Sequence, residues 1–319
     1  METKILGKDL KVSAIGLGCM GLSHANGAPT EENEALRLLR EAVEDGYTFF
    51  DTAETYGFKG DPHHNEKLLG KAFAGMRNKL VIATKFGVWF DYSENEYHPK
   101  LNADSRPEAI RKSVEESLQR LNTDYIDLYY QHRVDPNVEP ETVAEVMAEL
   151  IKEGKIRHWG VSMASEGYIR RAHAVCPLTA SQNVYSLIAP DESLFKTFEE
   201  LNIGLVSCCP IAKGLLTGAY TKGQEFEQGD YRRGSGWFSD ETMDKTQPLL
   251  EYLTRLGKEK NATLGQLSLA WMTNKKPWIV PIPGTRKSTR LKENAGAGDI
   301  RLTAEEVAGI DKAIAEMNA

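Results

Sequence analysis

The stretch that decides the fold runs from residue 125 to residue 162 and reads YIDLYYQHRVDPNVEPETVAEVMAELIKEGKIRHWGVS. Its two ends, Tyr125–His132 and Ile156–Ser162, are near-continuous apolar runs. Such runs are typical of parallel strands that are buried on both faces. Between them lies a helical stretch, 140–153, followed by Gly154, a residue type that commonly ends helices. The stretch therefore predicts one strand–helix–strand unit of a parallel sheet.

The same alternation continues in both directions along the chain. A hairpin made by residues 3–6 and 9–12 is expected first, and eight strand candidates follow it: Ala14–Gly18, Thr48–Asp51, Leu80–Lys85, Tyr125–His132, Ile156–Ser162, Ala180–Tyr185, Gly204–Cys209 and Trp278–Pro283. Among the helices between them, one is expected to have Thr30 as its N-cap and another to have Pro107 in its first turn. This pattern predicts an α/β fold, a (β/α)8 TIM barrel, in one domain over residues 1–319.

A doubly wound open sheet is the alternative architecture. The run Gly16-Leu17-Gly18-Cys19-Met20-Gly21 has the glycine spacing of a dinucleotide-binding turn. In that fold the glycines open a helix directly after the strand, whereas here Pro29 and Thr30 come before any helical pattern. The run is therefore interpreted as a glycine-rich loop at the mouth of the barrel.

Composition restricts the class of function. The 319 residues are 41% hydrophobic, with a net charge of -7 and a pI of about 5.6. An acidic chain is a poor candidate for binding nucleic acid or an anionic membrane. Without a secretion signal or an apolar run of bilayer length, a cytoplasmic protein with reduced cysteines is expected. The adjacent His63 and His64 have no partnering cysteine motif, so no metal site is predicted.

Two long connections, Gly87–Ser105 and Thr217–Asp244, follow predicted strands. Loops of this length in a compact domain are usually functional or disordered. Aromatic residues favour a functional role: Trp89, Phe90, Tyr92, Tyr97, Tyr220, Tyr231, Trp237 and Phe238. These loops belong to the face where barrel active sites lie, so Trp89 and its neighbours are expected to form the wall of an apolar substrate pocket.

Polar residues collect at the ends of three consecutive strands. Asp51, Lys85 and His132 each end a strand, and Tyr56 follows shortly after Asp51. A charge at the end of a buried strand must be paired, so Asp51 and Lys85 are expected to pair with each other. A nearby ammonium stabilises a phenolate, and this is expected to lower the pKa of Tyr56 and make it a proton donor and acceptor. His132 is expected to orient a substrate oxygen.

These residues lie in strings that resemble the aldo-keto reductases from the hairpin to the last helix. Five ordered motifs carry the resemblance: Asp51-Thr52-Ala53-Glu54-Thr55-Tyr56-Gly57, Asn65-Glu66-Lys67-Leu68-Leu69-Gly70, Gly160-Val161-Ser162, Gln182-Asn183-Val184-Tyr185-Ser186 and Ile282-Pro283-Gly284-Thr285-Arg286. The resemblance implies hydride transfer from NADPH to an aldehyde or ketone, with Tyr56 as proton donor. It implies that Lys85 and Asp51 tune Tyr56 and that His132 positions the carbonyl. It also implies that Ser162 and Gln182 hold the nicotinamide carboxamide.

Positive charge collects after the last strand, in Gly284-Thr285-Arg286-Lys287-Ser288-Thr289-Arg290. This segment opens a helix, and backbone N–H groups with cations at a helix N-terminus form an anion site. Its cations exceed what a diphosphate requires, which favours a cofactor with a 2′-phosphate, held by Gly284, Thr285 and Arg286. The resemblance implies that Arg290 contacts this phosphate and that Glu293 and Asn294 reach the adenine.

Two positions depart from the family pattern. Met163 stands where an Asn commonly follows the Gly-Val-Ser motif, and Cys208 stands where a Tyr commonly stacks on the nicotinamide. Because a thiol cannot stack like an aromatic ring, weaker or differently packed nicotinamide binding is expected. Cys208 and Cys209 are expected to be reduced, although a disulfide between them is an alternative.

Two other functions remain open from the sequence. Lys85 at a barrel strand end is also suited to forming a Schiff base, as in a lyase, although pairing with Asp51 disfavours this by keeping the amine protonated. A non-catalytic, NADPH-sensing regulatory subunit is the third hypothesis, and the complete set of Asp51, Tyr56, Lys85 and His132 argues against it. The partner indicated by the first hypothesis is a small-molecule carbonyl substrate.

Overall fold

The computed structural model describes residues 1–24, 27–93, 95 and 99–318, so Tyr97 lies outside the described residues. The chain begins with the predicted antiparallel hairpin, β1 (Thr3–Leu6) and β2 (Leu10–Ser13), in which Leu6 pairs with Leu10. Each of the eight predicted strands is then found: β3 (Leu17–Gly18), β4 (Phe49–Asp51), β5 (Val81–Phe86), β8 (Ile126–Gln131), β9 (Ile156–Ser162), β10 (Ala180–Val184), β11 (Gly204–Cys208) and β12 (Ile279–Pro281).

These eight strands form one parallel sheet whose order follows the chain, from β3 to β12. Its two edges meet, because the backbone N–H of Gly16 donates a 3.0 Å hydrogen bond to the carbonyl oxygen of Pro281. The sheet is therefore curled into a (β/α)8 barrel and not into the doubly wound alternative. The glycine-rich run of residues 16–21 lies at the seam between the first and last strands.

Side chains fill the barrel interior. Phe49, Leu128, Val206 and Val280 point into it from different strands and are fully buried. The hairpin closes the N-terminal end of the barrel, since Leu6 packs in the same cluster. The backbone of Gly204 at the start of β11 is so close to Leu6 that an added Cβ would lie 2.4 Å from the leucine Cδ2. The open end of the barrel is therefore the one at which the strands finish.

Helices cover the outside of the sheet. They are α1 (Glu32–Glu44), α2 (His64–Ala72), α3 (Pro107–Leu121), α4 (Pro140–Lys152), α5 (Glu166–Val175), α6 (Phe195–Leu201), α7 (Asp240–Lys260), α8 (Leu264–Lys275), α9 (Ser288–Gly296) and α10 (Ala304–Asn318). None of the helices in the described part of the chain has both the length and the apolar character needed to cross a bilayer.

The helix boundaries confirm two predictions and correct one. Pro107 is the first residue of α3, and Gly154 follows α4 with a φ of +78°, a left-handed value that suits glycine. The expected N-cap Thr30 is wrong. Glu31 caps α1, because its side chain accepts a 3.1 Å hydrogen bond from the N–H of Glu34, three residues further along the chain. The helix therefore begins one residue later than Thr30 would place it.

Both long connections contain regular structure that the sequence did not indicate. The first carries an antiparallel hairpin, β6 (Val88–Asp91) and β7 (Lys100–Ala103). The second contains a short 3₁₀ helix (Gly236–Phe238), and its last residues belong to α7, which begins at Asp240. Each connection follows a barrel strand, so both lie at the end of the barrel where Asp51, Lys85 and His132 are found.

Candidate active site

The Asp51 and Lys85 side chains form a buried ion pair on neighbouring strands. Asp51 ends β4 and pairs with Ala83 of β5, and Lys85 lies two residues further along β5. The Lys85 Nζ donates hydrogen bonds of 2.5 Å to Asp51 Oδ1 and 2.7 Å to the Thr52 carbonyl oxygen. The lysine side chain has no exposed surface, so these two acceptors replace the water that its charge loses.

Tyr56 is the third member of this group. Its hydroxyl lies 3.2 Å from the Lys85 Nζ, which donates a hydrogen bond to it. The loop that follows β4 is tightly held, since the Tyr56 carbonyl oxygen accepts a 2.9 Å hydrogen bond from the N–H of Asn65. Asp51, Lys85 and Tyr56 are thus joined through one ammonium group.

The net direction of the Tyr56 pKa is opposite to the sequence expectation. Burial raises the pKa of Tyr56 above its ordinary value of 10.0, and the Lys85 ammonium opposes this without reversing it. The expected lowering of the Tyr56 pKa considered the Lys85 cation but not the burial of the phenol, which is the larger effect. The pKa of Lys85 is also raised; burial alone would lower it, but the charges of Asp51 and Tyr56 outweigh burial. The free site therefore holds a protonated phenol beside an ammonium ion.

His132 completes the group, and Asp51, Tyr56, Lys85 and His132 are called the Tyr56 cluster below. The His132 ring meets the Tyr56 ring edge-on, with centroids 5.6 Å apart. Its pKa lies well below 6.5 because of burial first, and then because of the charges of Lys85 and Arg133. The imidazole is therefore neutral. Its Nδ1 is buried and has no hydrogen-bond partner among the described residues.

Gln182 contacts the Tyr56 cluster directly, and Ser162 is linked to it through Arg133. Gln182 on β10 donates a 2.7 Å hydrogen bond from Nε2 to Asp51 Oδ2. Ser162, at the end of β9, accepts a 3.3 Å hydrogen bond from Arg133 Nη1, which also bonds to the His132 carbonyl oxygen at 2.6 Å. Sequence reasoning missed Arg133, although it directly follows His132.

The segment after β12 packs against the glycine-rich run. The Arg286 Nε donates a 2.5 Å hydrogen bond to the carbonyl oxygen of Gly21, and Thr285 Oγ1 accepts one of 3.0 Å from the N–H of Lys287. Gly284 approaches Gly18 so closely that an added Cβ would lie 2.8 Å from its carbonyl oxygen. The Arg286 Nη2 is buried and has no partner among the described residues, which leaves one guanidinium donor for an anion.

Arg290, Glu293 and Asn294 share the helix that this segment opens, α9. Arg290 and Glu293 form an ion pair one turn apart, and Glu293 Oε1 also accepts a 2.7 Å hydrogen bond from Thr263. Asn294 is buried, and its Nδ2 has no partner within the described residues. The only charged partner of Arg290 among the described residues is the Glu293 carboxylate.

His24 is a site residue that the sequence analysis missed. Its ring is nearly parallel to that of Tyr56, with centroids 6.3 Å apart, and it also stacks on Phe90 at 5.5 Å. His24 Nδ1 lies 2.7 Å from the Gly57 carbonyl oxygen, which can only accept, so Nδ1 carries the proton. Burial lowers the His24 pKa, so Nε2 accepts the 2.8 Å hydrogen bond from the Tyr231 hydroxyl.

Next to His24 lies a cavity of about 220 Å³, lined by side chains that include Tyr92 and Tyr231. The expected pocket residue Trp89 does not line it and is 52% exposed. Because strand neighbours point to opposite faces, Phe90 faces His24 while Trp89 faces away. The hairpin of β6 and β7 thus contributes Phe90 to the site.

The two positions that depart from the family pattern have unusual backbone conformations nearby. Met163 has a φ of +57°, and its N–H donates a 3.1 Å hydrogen bond to the Gln182 carbonyl oxygen. A left-handed conformation costs least at Gly, Asn and Asp and more at other residues. Met163 is therefore an unfavourable residue for this conformation. Cys208 packs against the barrel interior, and Cys209 has a φ of +53°. Both thiols are free.

His63 and His64 have protein partners. His63 Nδ1 lies 2.5 Å from the Glu54 carbonyl oxygen, and His64 Nδ1 lies 3.5 Å from Asp61 Oδ2. Within the described ranges, no group of three His, Cys, Asp or Glu side chains is arranged to hold a metal ion.

Comparisons with known proteins agree with this arrangement. The family model described as the aldo/keto reductase family matches residues 14–315. The chain is 38% identical to aldo-keto reductase str7 of Strobilurus tenacellus over 324 residues, which cover 98% of this chain and 91% of that one.

Solved structures show the same likeness. The glycerol dehydrogenase of Gluconobacter oxydans superposes with a TM-score of 0.86 at 28% identity and covers 99% of this chain and 95% of its own. An aldo/keto reductase of Klebsiella pneumoniae, solved in complex with NADP and acetate, has a TM-score of 0.72 at 26% identity, with 98% and 95% covered. The chain is an oxidoreductase that belongs to the aldo/keto reductase family.

Proposed function

We propose that this protein reduces aldehydes or ketones with NADPH and that Tyr56 donates the proton to the carbonyl oxygen. The observation that carries the proposal is the shared ammonium of Lys85, which bonds to Asp51 at 2.5 Å and to Tyr56 at 3.2 Å. A phenol that gives up its proton becomes a phenolate. A fixed cation at hydrogen-bond distance stabilises that charge in a buried site.

The residues present fit a nicotinamide cofactor with a 2′-phosphate. Arg286 and Asn294 keep buried donors that have no partner among the described residues; Arg286 lies just before α9 and Asn294 lies within it. A phosphate and an adenine would satisfy such donors. Gln182 and Ser162 would hold the carboxamide, and the bound cofactor would supply the hydride. The Klebsiella pneumoniae relative, solved with NADP, supports this choice.

The protonation states in the site suit reduction. Tyr56 is protonated in the free protein because burial raises its pKa, so the donor is ready when a carbonyl binds. His132 is neutral and therefore presents one ring N–H, which orients the carbonyl oxygen toward Tyr56. Asp51 holds Lys85 in place, and Gln182 holds Asp51. The burial of all four side chains of the Tyr56 cluster excludes water from the proton's path.

The two other hypotheses are less well supported. A lysine that forms a Schiff base must be deprotonated, but the pKa of Lys85 is raised by Asp51 and Tyr56 despite the opposing effect of burial. A purely regulatory subunit would have no need for the buried ion pair beside Tyr56, which costs desolvation energy. Both hypotheses predict no NADPH-dependent reduction.

The test is oxidation of NADPH in the presence of a panel of aldehydes and ketones, followed by the Tyr56→Phe variant. We expect the variant to lose between about 100-fold and 10,000-fold in kcat, the range typical of a removed proton donor. NADPH affinity, measured by fluorescence titration, should stay within about twofold, since Phe keeps the ring. Wild-type turnover by Tyr56→Phe would contradict the proposal. A control is Tyr125→Phe, since Tyr125 precedes β8 at the opposite end of the barrel.

A further inference from the structure

Two adjacent cysteines lie at the end of β11. Neighbouring side chains of a strand point to opposite faces, and Cys208 continues the inward face of Val206 and packs against the barrel interior. The next residue would face outward if the strand continued. Cys209 instead has a φ of +53°, a left-handed conformation that residues other than glycine rarely adopt. At this turn the two adjacent thiols are free and partly exposed.

The two thiols differ in acidity because they interact. Interaction with the partner thiol raises the pKa of Cys208 and lowers that of Cys209 to about 7. Burial opposes the shift at Cys209, and the Lys213 cation adds to it. Cys209 is therefore the more acidic of the two thiols, and the thiolate is the reactive form toward oxidants. The proposed reduction uses neither sulfur.

We propose that Cys208 and Cys209 are a dithiol that hydrogen peroxide oxidises to a disulfide between adjacent residues, and that this modification reversibly lowers reductase activity. The Cys209 thiolate attacks peroxide: an S–O bond forms, the O–O bond breaks, and hydroxide leaves. The Cys208 sulfur then attacks Cys209, the S–S bond forms, the S–O bond breaks, and the Cys208 proton joins the second hydroxide. Two thiols lose two electrons and two protons, and peroxide becomes two waters.

The position of Cys208 connects this chemistry to the reaction. Its sulfur lies close enough to Tyr56, Asp51 and Lys85 to interact electrostatically with each of them. A disulfide would pull the Cys208 sulfur toward the strand end and change the surface beside the Tyr56 cluster. This second half of the proposal rests on the proposed function. The modification itself does not.

The other two cysteines are poor competitors for peroxide. Cys19 and Cys176 are buried, and burial raises the pKa of both thiols. A buried, protonated thiol reacts slowly with oxidants. Oxidation is therefore expected to select the pair at the end of β11.

Intact-mass spectrometry of the full chain treated with hydrogen peroxide tests the modification. We expect a loss of about 2 Da that maps to the peptide with Cys208 and Cys209 and that dithiothreitol reverses. The variant Cys209→Ser should react at least about tenfold more slowly, because the reactive thiolate is gone. The variant Cys208→Ser should instead keep a sulfenic acid on Cys209, which dimedone traps. Cys176→Ala is the matched control and should lose about 2 Da like the wild type.

Two results would overturn the dithiol: gains of oxygen mass in the wild type without the 2 Da loss, or an unaltered 2 Da loss in Cys209→Ser. The activity half is judged separately, by carbonyl reduction before treatment, after peroxide and after dithiothreitol. We expect at least about a fivefold loss that dithiothreitol restores. Full activity of the disulfide form would overturn the regulatory role. A protein that reduces no carbonyl before treatment would count against the proposed function, while the mass result still decides the modification.

Discussion

The hydroxyl of Tyr231 lies 2.8 Å from Nε2 of His24, so the loop after β11 is joined to the loop after β3 directly beside the Tyr56 ring. The same histidine is fixed from the other side by the Gly57 carbonyl oxygen at 2.7 Å. We expect Tyr231→Phe to release this connection without removing the aromatic packing. The lost hydrogen bond is worth about 1 kcal/mol, so amide hydrogen exchange in the segment around Tyr231 should become about fivefold faster.

The same variant should raise KM for carbonyl substrates, because the loops that cover the site open more often. Its control is again Tyr125→Phe, whose ring packs between Arg77 and Arg157 far from this loop. Exchange rates around residue 231 that match the wild type would show that the His24 contact does not hold the loop.

Lys85→Met should move the pH dependence of the reaction. The Lys85 cation favours the phenolate form of Tyr56, so its removal raises the Tyr56 pKa further. Oxidation of an alcohol needs the phenolate as proton acceptor, and the rise of that activity with pH should therefore shift to higher pH. Reduction should slow by at least about tenfold at neutral pH, since the phenolate left behind is less stable. Lys196→Met, at an exposed lysine of α6, is the control. An unshifted profile would rule out electrostatic coupling of Lys85 to Tyr56.

Glu54→Gln should change how stability depends on pH. The Glu54 carboxylate accepts hydrogen bonds from the Gly87 N–H at 2.9 Å and from the Ser113 hydroxyl. Burial raises its pKa to about 7, with the nearby Glu66 adding to the shift and Ser113 and Arg120 opposing it. Between its unfolded value of 4.5 and about 7, the folded protein holds more protons than the unfolded chain. Stability therefore falls as pH rises through this window, by about 3 kcal/mol in total.

A glutamine has nearly the same shape and does not titrate: its amide oxygen can accept the hydrogen bond from the Gly87 N–H, while its amide nitrogen can donate to the Ser113 hydroxyl. Urea unfolding of both proteins from about pH 4 to about pH 8 should show the variant gaining on the wild type by about 3 kcal/mol across the window. Parallel stability curves for the two proteins would mean that Glu54 does not carry the buried charge.

Cys208→Tyr should strengthen NADPH binding if the nicotinamide lies against β11. An aromatic ring at this position adds stacking of about 1 kcal/mol, which corresponds to an affinity about fivefold higher in a fluorescence titration. Cys208→Ser serves as the size-matched control and should leave the affinity within about twofold. An unchanged affinity and turnover in Cys208→Tyr would count against the packing that we infer.

The strands could be predicted because burial on both faces leaves a strong pattern, as in Tyr125–His132 and Ile156–Ser162. The hairpin of β6 and β7 could not, since Val88–Asp91 and Lys100–Ala103 are short, partly exposed and separated by a polar stretch. Pairing across such a gap depends on where the barrel places the two ends. The first residue of a helix is equally hard to predict, because it depends on which side chain accepts a hydrogen bond from the first turn. In α1 that side chain belongs to Glu31 and not to Thr30.

The residues of the Tyr56 cluster could be predicted because Asp51, Lys85 and His132 lie at or near the ends of neighbouring parallel strands and Tyr56 follows shortly after Asp51. Its electrostatics could not, because burial is a property of the folded molecule and it reversed the expected direction of the Tyr56 pKa. His24 left no signal at all. Its partner Tyr231 is distant along the chain, and only the closed barrel brings the two loops together.

The hydrogen bond from Gly16 to Pro281 has a consequence for biosynthesis. The first strand of the barrel leaves the ribosome early, but its partner on one side is the last barrel strand to be made. Until then the growing chain carries an open parallel sheet with an unpaired edge at β3, and such edges invite association with other chains. Contacts this distant in sequence also slow folding. The seam therefore leaves the nascent chain with an exposed sheet edge until the last barrel strand has been made.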